Sequence, residues 1–199
     1  AARLHAHAAA AGDVDRRGRG VIYLVRHGEA AAGWGDHPDP GLSDLGKAQA
    51  EAVAQILESL GASSAICSPM QRCRETSMPF ARARSLTPRI VPEVSEIVAP
   101  AGTPDRREWL SGLMTGTWTA AGPTYLDWRT ALGACVSALP DETVVFSHFV
   151  AINALCGLLE GDDRVTVFRP GHCSVTRLER RDGQLRVAEY GSESATRVL

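Results

Sequence analysis

Cysteine is scarce in this chain and badly spaced for metal or disulfide chemistry. The five residues, Cys67, Cys73, Cys135, Cys156 and Cys173, form no Cys-x-x-Cys pair, and an odd number argues against a closed disulfide framework. An excess of either charge is also missing. With 21 basic and 23 acidic residues there is no electrostatic footprint for nucleic acid or an anionic membrane. No apolar run approaches the ~18 residues of a membrane helix. The first twenty residues, alanine-rich and then Asp13 to Gly20, hold no apolar core of a leader peptide. These absences predict a reduced, cytoplasmic protein without metal or cofactor, preceded over 1–20 by a flexible extension. The remaining 21–199 are enough for a single domain burying roughly 70 per cent of its unfolded surface.

What is present begins at Val21-Ile-Tyr-Leu-Val-Arg-His-Gly-Glu29. An apolar run rich in β-branched residues suits an interior strand, and ligands of α/β sheets gather at the carboxyl ends of strands, where Arg26 and His27 fall. Ala65-Ile-Cys-Ser-Pro-Met-Gln-Arg72 is a second such strand, breaking into a helix with Arg72 in its opening turn. Pro92-Glu-Val-Ser-Glu-Ile97 supplies two carboxylates, and Thr143-Val-Val-Phe-Ser-His148 is a third strand ending in a histidine.

The remaining periodicities alternate in the α/β manner. Helices are expected from Ser43, as N-cap, to Leu60, with Ala48, Ala52, Ile56 and Leu60 as the apolar stripe, then from Pro69 to Arg84. Further helices are expected over 103–113, 124–139 and 149–160. The tail changes period: short strands over 164–168, 172–179 and 184–190, the last two joined by an Arg181-Asp-Gly183 hairpin, predict an antiparallel edge on a mostly parallel sheet.

With four blocks in this order, the chain resembles the histidine phosphatase superfamily, the phosphoglycerate-mutase-like proteins. It carries Arg-His-Gly-Glu at Arg26 to Glu29, Gly-Leu-Ser-x-x-Gly-x-x-Gln-Ala at Gly41 to Ala50, Ser-Pro-x-x-Arg at Ser68 to Arg72, Glu96, and Ser147-His148. The resemblance implies a three-layer α/β/α sandwich and a phosphohistidine intermediate on His27. It also implies that Arg26, Arg72 and His148 hold the phosphoryl group and that Glu96 is the acid and base. Glu93, three residues earlier, is the rival carboxylate. Glu29 and Ser147 either orient the site histidines or serve as a loop contact and a strand-end hydrogen bond. His5, His7, His37 and His172 have no such context and are expected on the surface or in loops.

Departures from the family fall where substrate identity is written. The glycine-tryptophan-rich motif that often follows the acid is missing, and a segment holding Trp109, Trp118 and Trp128 stands in its place. These rings either form an apolar lid, making Trp109 and Trp118 pocket residues, or anchor helices to the core. Phe149 occupies a position where many relatives carry glycine, which predicts a bulkier, drier wall beside the phosphate.

The expected activity is hydrolysis of a small-molecule phosphate ester. A phosphoglycerate-mutase-type transferase, a protein phosphatase acting on phosphohistidine and a non-catalytic phosphate-binding module stand as alternatives. The oligomeric state is open, a dimer included.

Overall fold

A computed structural model describes residues 20–32 and 37–194. The predicted extension therefore lies outside the described residues apart from Gly20, which pairs with Arg180 as the first residue of β1 (Gly20–Arg26). The chain continues through α1 (Asp44–Ser59), β2 (Ser64–Cys67), α2 (Gln71–Ala83), β3 (Arg89–Ile90) and a 3-10 turn (Pro92–Val94). Then come α3 (Arg106–Met114), α4 (Trp118–Ala121), α5 (Pro123–Ser137), β4 (Thr143–Ser147), α6 (Phe149–Glu160), β5 (Val175–Arg181) and β6 (Gln184–Glu189).

One six-stranded sheet runs β3-β2-β4-β1-β5-β6. Its first four strands are parallel, β5 pairs antiparallel with β1, and β6 pairs antiparallel with β5. Period-two alternation sorts the strand side chains onto two covered faces, which is why β1 and β4 read as unbroken apolar runs. Ile22, Leu24 and Val145 join a core with α5 and α6, while Tyr23, Val25, Val144 and Phe146 join one with α1 and α2. This is the expected three-layer sandwich with an antiparallel edge. The β5–β6 turn has both Asp182 and Gly183 at positive φ, 51° and 77°, the backbone that an Asp-Gly hairpin favours.

Three local expectations fail. The expected stripe of α1, Ala48, Ala52, Ile56 and Leu60, faces solvent; the buried face is Gly46, Ala50, Val53, Ala54 and Leu57. Both stripes are apolar, and the face with the smaller residues near its start is the one that packs closely. No strand forms over 164–168. There the side-chain oxygen of Asn153 accepts the N–H groups of Val167 (2.8 Å) and Phe168 (3.0 Å), which a ladder would have needed. The following strand also starts later than expected, at Val175, leaving 172–174 as a loop with Cys173 at φ 54°.

Among the described residues no helix is long and apolar enough to cross a membrane.

Candidate active site

Parallel pairing puts the carboxyl ends of β1, β2 and β4 side by side, with Arg26 opposite Ser147 and Cys67 opposite Phe146. The chain just beyond these strands stays in register, since His27 N–H donates to Ser147 O and Ser68 N–H to Phe146 O, both at 3.0 Å. His27, Ser68 and His148 thus meet at one edge. Arg72 enters from the first turn of α2, and Glu96 follows the 3-10 turn beyond β3.

The two histidines are held as distinct neutral tautomers. His27 Nδ1 lies 2.7 Å from Gly28 O, an atom that can only accept, so Nδ1 bears the proton and Nε2 the lone pair. Arg72 Nε donates to that lone pair at 3.2 Å. Arg72 Nη2 donates to His148 Nδ1 at 3.2 Å, leaving His148 Nε2–H to donate to Ser68 Oγ at 2.8 Å. The rings stand 5.2 Å apart, near edge-to-face. Both histidines are held well below the ordinary imidazole range. Burial is the main cause for each; His27 is further lowered by His148, Arg72 and Arg26, and His148 by the two arginines.

Arg26 is 3% exposed, and burial pushes its guanidinium down to about 10. Its Nη1 donates to Pro170 O at 2.8 Å and its Nη2 to His172 Nε2 at 3.0 Å. Its Nε–H is buried without a partner among the described residues. An orphaned buried donor on a cation costs free energy unless an acceptor arrives, and an anionic ligand supplies one. The guanidinium also lies over the Phe149 ring, 5.3 Å from its centroid, so the bulky residue after His148 is the floor beneath Arg26.

Glu96 caps α6. Its carboxylate accepts the N–H groups of Val150 and Ala151, and also that of Ile97, each at 3.1 Å. Burial raises its pKa, while those amide hydrogen bonds and the charge of Arg72 work against the rise. Glu93, by contrast, is exposed. The charge of Glu96 acts on Arg26, and that of Arg72 acts on Glu96.

The remaining expectations are sorted by the contacts. Glu29 accepts from Ser43 Oγ at 2.8 Å, and Ser43 caps α1 through Gly46 N–H, so Glu29 ties the loop after His27 to a helix start. Glycine is demanded there, because a Cβ on Gly46 would run into the Glu29 carbonyl oxygen, and one on Gly28 would sit 2.7 Å from Gly46 O. Ser147 donates to Val94 O at 2.7 Å, a structural strand-end bond.

Trp118 is fully buried in the core against Arg129 and Trp128. Trp109 stacks near Tyr125 and borders a cavity of about 530 Å³ with Glu108, Leu113 and Thr117; none of the four phosphate-site candidates lines it. Trp118 therefore anchors helices rather than lining a pocket, whereas Trp109 borders a cavity that lies apart from the phosphate-site candidates. His37 is exposed as expected, and His5 and His7 lie outside the described residues.

His172 is the residue the sequence reading missed. It is half-buried, 5.9 Å from the His27 ring, and bonded to Arg26; burial first, then Arg26, hold it at about 4. A signal existed: an antiparallel strand beside β1 must start where β1 ends, and Cys173 N–H indeed donates to Arg26 O at 3.0 Å.

Known proteins with this fold are numerous. The pattern describing the histidine phosphatase superfamily (branch 1) matches residues 22–102. The probable phosphoglycerate mutase GpmB of Yersinia pestis (strain Pestoides F) is 28% identical over 197 residues, covering 87% of this chain and 91% of that protein. The mycobacterial glucosyl-3-phosphoglycerate phosphatase structure superposes with a TM-score of 0.67 at 20% identity, covering 88% of this chain and all (100%) of that one. Phosphoserine phosphatase from Entamoeba histolytica, in complex with 3-phosphoglyceric acid, gives 0.68 at 20% identity over 87% and 98% of the two chains. Likeness at such identities speaks for the fold alone. The chain thus shares its fold with histidine phosphatases and matches the pattern of that superfamily over residues 22–102.

Proposed function

We propose that this protein is a phosphomonoesterase that hydrolyses a small phosphate ester through a phosphohistidine on His27. The observation that carries this reading is the tautomer of His27: Gly28 O takes the Nδ1 proton, so a neutral imidazole presents its Nε2 lone pair to the guanidinium of Arg72. A phosphoryl group in transfer spreads charge over its equatorial oxygens, and the protein's task is to position it among fixed positive donors. Arg26 and Arg72 supply planar forks matched to two oxygens each.

When an ester binds, the Arg72 Nε–H that now rests on Nε2 turns to a phosphate oxygen and frees the lone pair for in-line attack. Nε2 forms the bond to phosphorus as the ester oxygen departs with the P–O electron pair. A dianion placed between the two histidines offsets the arginine charges that depress them, so His148 gains capacity to donate to the phosphoryl oxygens. Glu96, whose burial favours the neutral acid, gives a proton to the leaving alkoxide and later takes one from the water that cleaves the phosphohistidine. His172 fixes the Arg26 fork from behind. Charge compensation is supplied by arginine, so the reading requires no metal.

Phosphatase neighbours of this fold favour hydrolysis, whereas the Yersinia relative, a probable phosphoglycerate mutase, favours phosphoryl transfer to a second hydroxyl. The product decides between them. The test is p-nitrophenyl phosphate turnover with excess chelator by the intact protein and by His27→Asn, whose amide can still donate to Gly28 O. Free phosphate release, acid-labile labelled protein on quenching, and loss of both in the variant are expected. Undiminished turnover by His27→Asn refutes the mechanism, and transfer without phosphate release selects the mutase.

A further inference from the structure

The fold leaves one cation at the edge of the phosphate site without an anion. Arg169 is exposed, and its guanidinium lies over the Phe149 ring 5.7 Å from the centroid, the same ring that carries Arg26 at 5.3 Å. The two charges are therefore within 11 Å of each other, the two radii laid end to end, and the charge of Arg169 is one of the influences that lower Arg26. Two cations stacked on one apolar ring repel each other. Such a pair is favourable when a ligand bridges both.

Arg169 is also held in place. Its N–H donates to Glu193 Oε1 at 2.7 Å, its carbonyl accepts from Ser194 N–H at 3.2 Å, and the next residue, Pro170, both bridges to Glu193 and supplies the carbonyl that receives Arg26 Nη1. The nearby carboxylate of Glu193 is thus engaged by a backbone amide. The Arg169 guanidinium itself has no hydrogen bond or ion pair to the described residues, and ring stacking holds this exposed cation on the ring that also carries the buried Arg26. A planar fork so placed is suited to a second oxyanion a few bonds from the phosphoryl group.

We infer that Arg169 determines specificity by binding a second anionic group, carboxylate or phosphate, on the alcohol portion of the substrate. The substrate class is then a phosphomonoester carrying another negative charge within reach of the Phe149 ring. This inference rests on the phosphomonoesterase reading for its chemistry but not for its binding.

The experiment compares 3-phosphoglycerate with glycerol 3-phosphate, which differ by a carboxylate against a hydroxymethyl group, and adds the bisphosphate of propane-1,3-diol. Values of kcat/KM are measured for the intact protein and for Arg169→Met, whose unbranched stem still covers the ring. Dissociation constants for the same three compounds are measured with His27→Asn alone and combined with Arg169→Met.

The intact protein is expected to prefer a doubly anionic ester over glycerol 3-phosphate by about tenfold or more, the scale of a charge-assisted contact at an open site, and Arg169→Met to erase that preference. Which of the two anionic esters is preferred assigns the second group. An equal preference in both proteins overturns the inference. Absence of turnover together with an Arg169-dependent binding preference leaves the inference standing and removes the hydrolase reading. Equal binding of all three esters, or binding of none, overturns the inference.

Discussion

Acid should destabilise this protein steeply through the histidines of its site. His27 and His148 are buried, His172 is half-buried, and all three are depressed below their ordinary value, so they remain neutral in the fold over mildly acidic pH. In the unfolded chain each titrates near 6.5. Below that pH the unfolded state binds more protons than the native one, so stability rises with pH and is lost as pH falls from about 6.5 toward the folded values. Between pH 7.5 and 5.5 each histidine contributes about 1.4 kcal/mol of loss, and the three together about 4 kcal/mol.

Glu96 has the opposite sign. Its raised pKa lets the native state hold a proton that the unfolded carboxyl has released, which stabilises the fold as pH falls through its folded value and works against the histidine loss of about 4 kcal/mol. That is a large part of the total for an ordinary domain, and corresponds to a fall in Tm on the order of 10 °C. Denaturant unfolding at pH 7.5, 6.5 and 5.5 measures it, the slope against pH at the acid end giving the protons the three histidines take up on unfolding less what native Glu96 already holds. His148→Gln, whose side-chain amide can still donate to Ser68 Oγ, should reduce that uptake by about one proton. A flat profile, or stability increasing toward pH 5.5, refutes the assignment of neutral, buried imidazoles.

Replacing Glu96 by Gln should slow alkyl phosphates by roughly 10²- to 10⁴-fold and aryl phosphates, which leave without a proton, far less; equal slowing in steady-state assays would move the acid elsewhere. His172→Ala should raise KM for phosphate esters roughly tenfold by releasing the Arg26 fork, and His172→Gln should restore much of it by returning an acceptor near the Nε2 position. A KM that rises alike in both variants would make His172 a packing residue only. Gly46→Ala should cost about 1–3 kcal/mol of stability, read by calorimetry, because the new methyl meets the Glu29 carbonyl and forces α1 away from the loop that follows His27.

The parts of this architecture legible from sequence are those where one physical requirement dominates. Val21 to Val25 and Val144 to Phe146 are apolar without interruption because both faces of the sheet are covered, and their ends mark the site. The helix over 149–160 is readable because it is bounded by His148 and by Gly161, which adopts the left-handed conformation at φ 71°. Where two solutions satisfy the same pattern, the reading fails. Helix α1 offers two apolar stripes, and only packing against α2 selects the one containing Gly46 and Val53. Arg164 to Phe168 has strand-like composition, but the Asn153 amide takes its donors. His172 was lost for a different reason: its place in the site comes from the direction of a strand that begins three residues later, a tertiary fact.

The start of α6 favours Glu96 over Glu93 as the acid of the proposed mechanism. His148 is the N-cap residue, Phe149 supports Arg26, and the amides of Val150 and Ala151 hold the Glu96 carboxylate. One helical turn therefore sets the positions of a phosphate ligand, an arginine platform and the acid. The amides favour the ionised carboxylate and burial favours the neutral acid, so the balance is a function of how dry that turn is kept. A dianionic ester arriving beside it adds repulsion that only protonation relieves. In the proposed mechanism, binding of substrate thereby loads Glu96 with the proton the leaving group needs, and departure of the alcohol leaves behind the carboxylate that the attacking water needs.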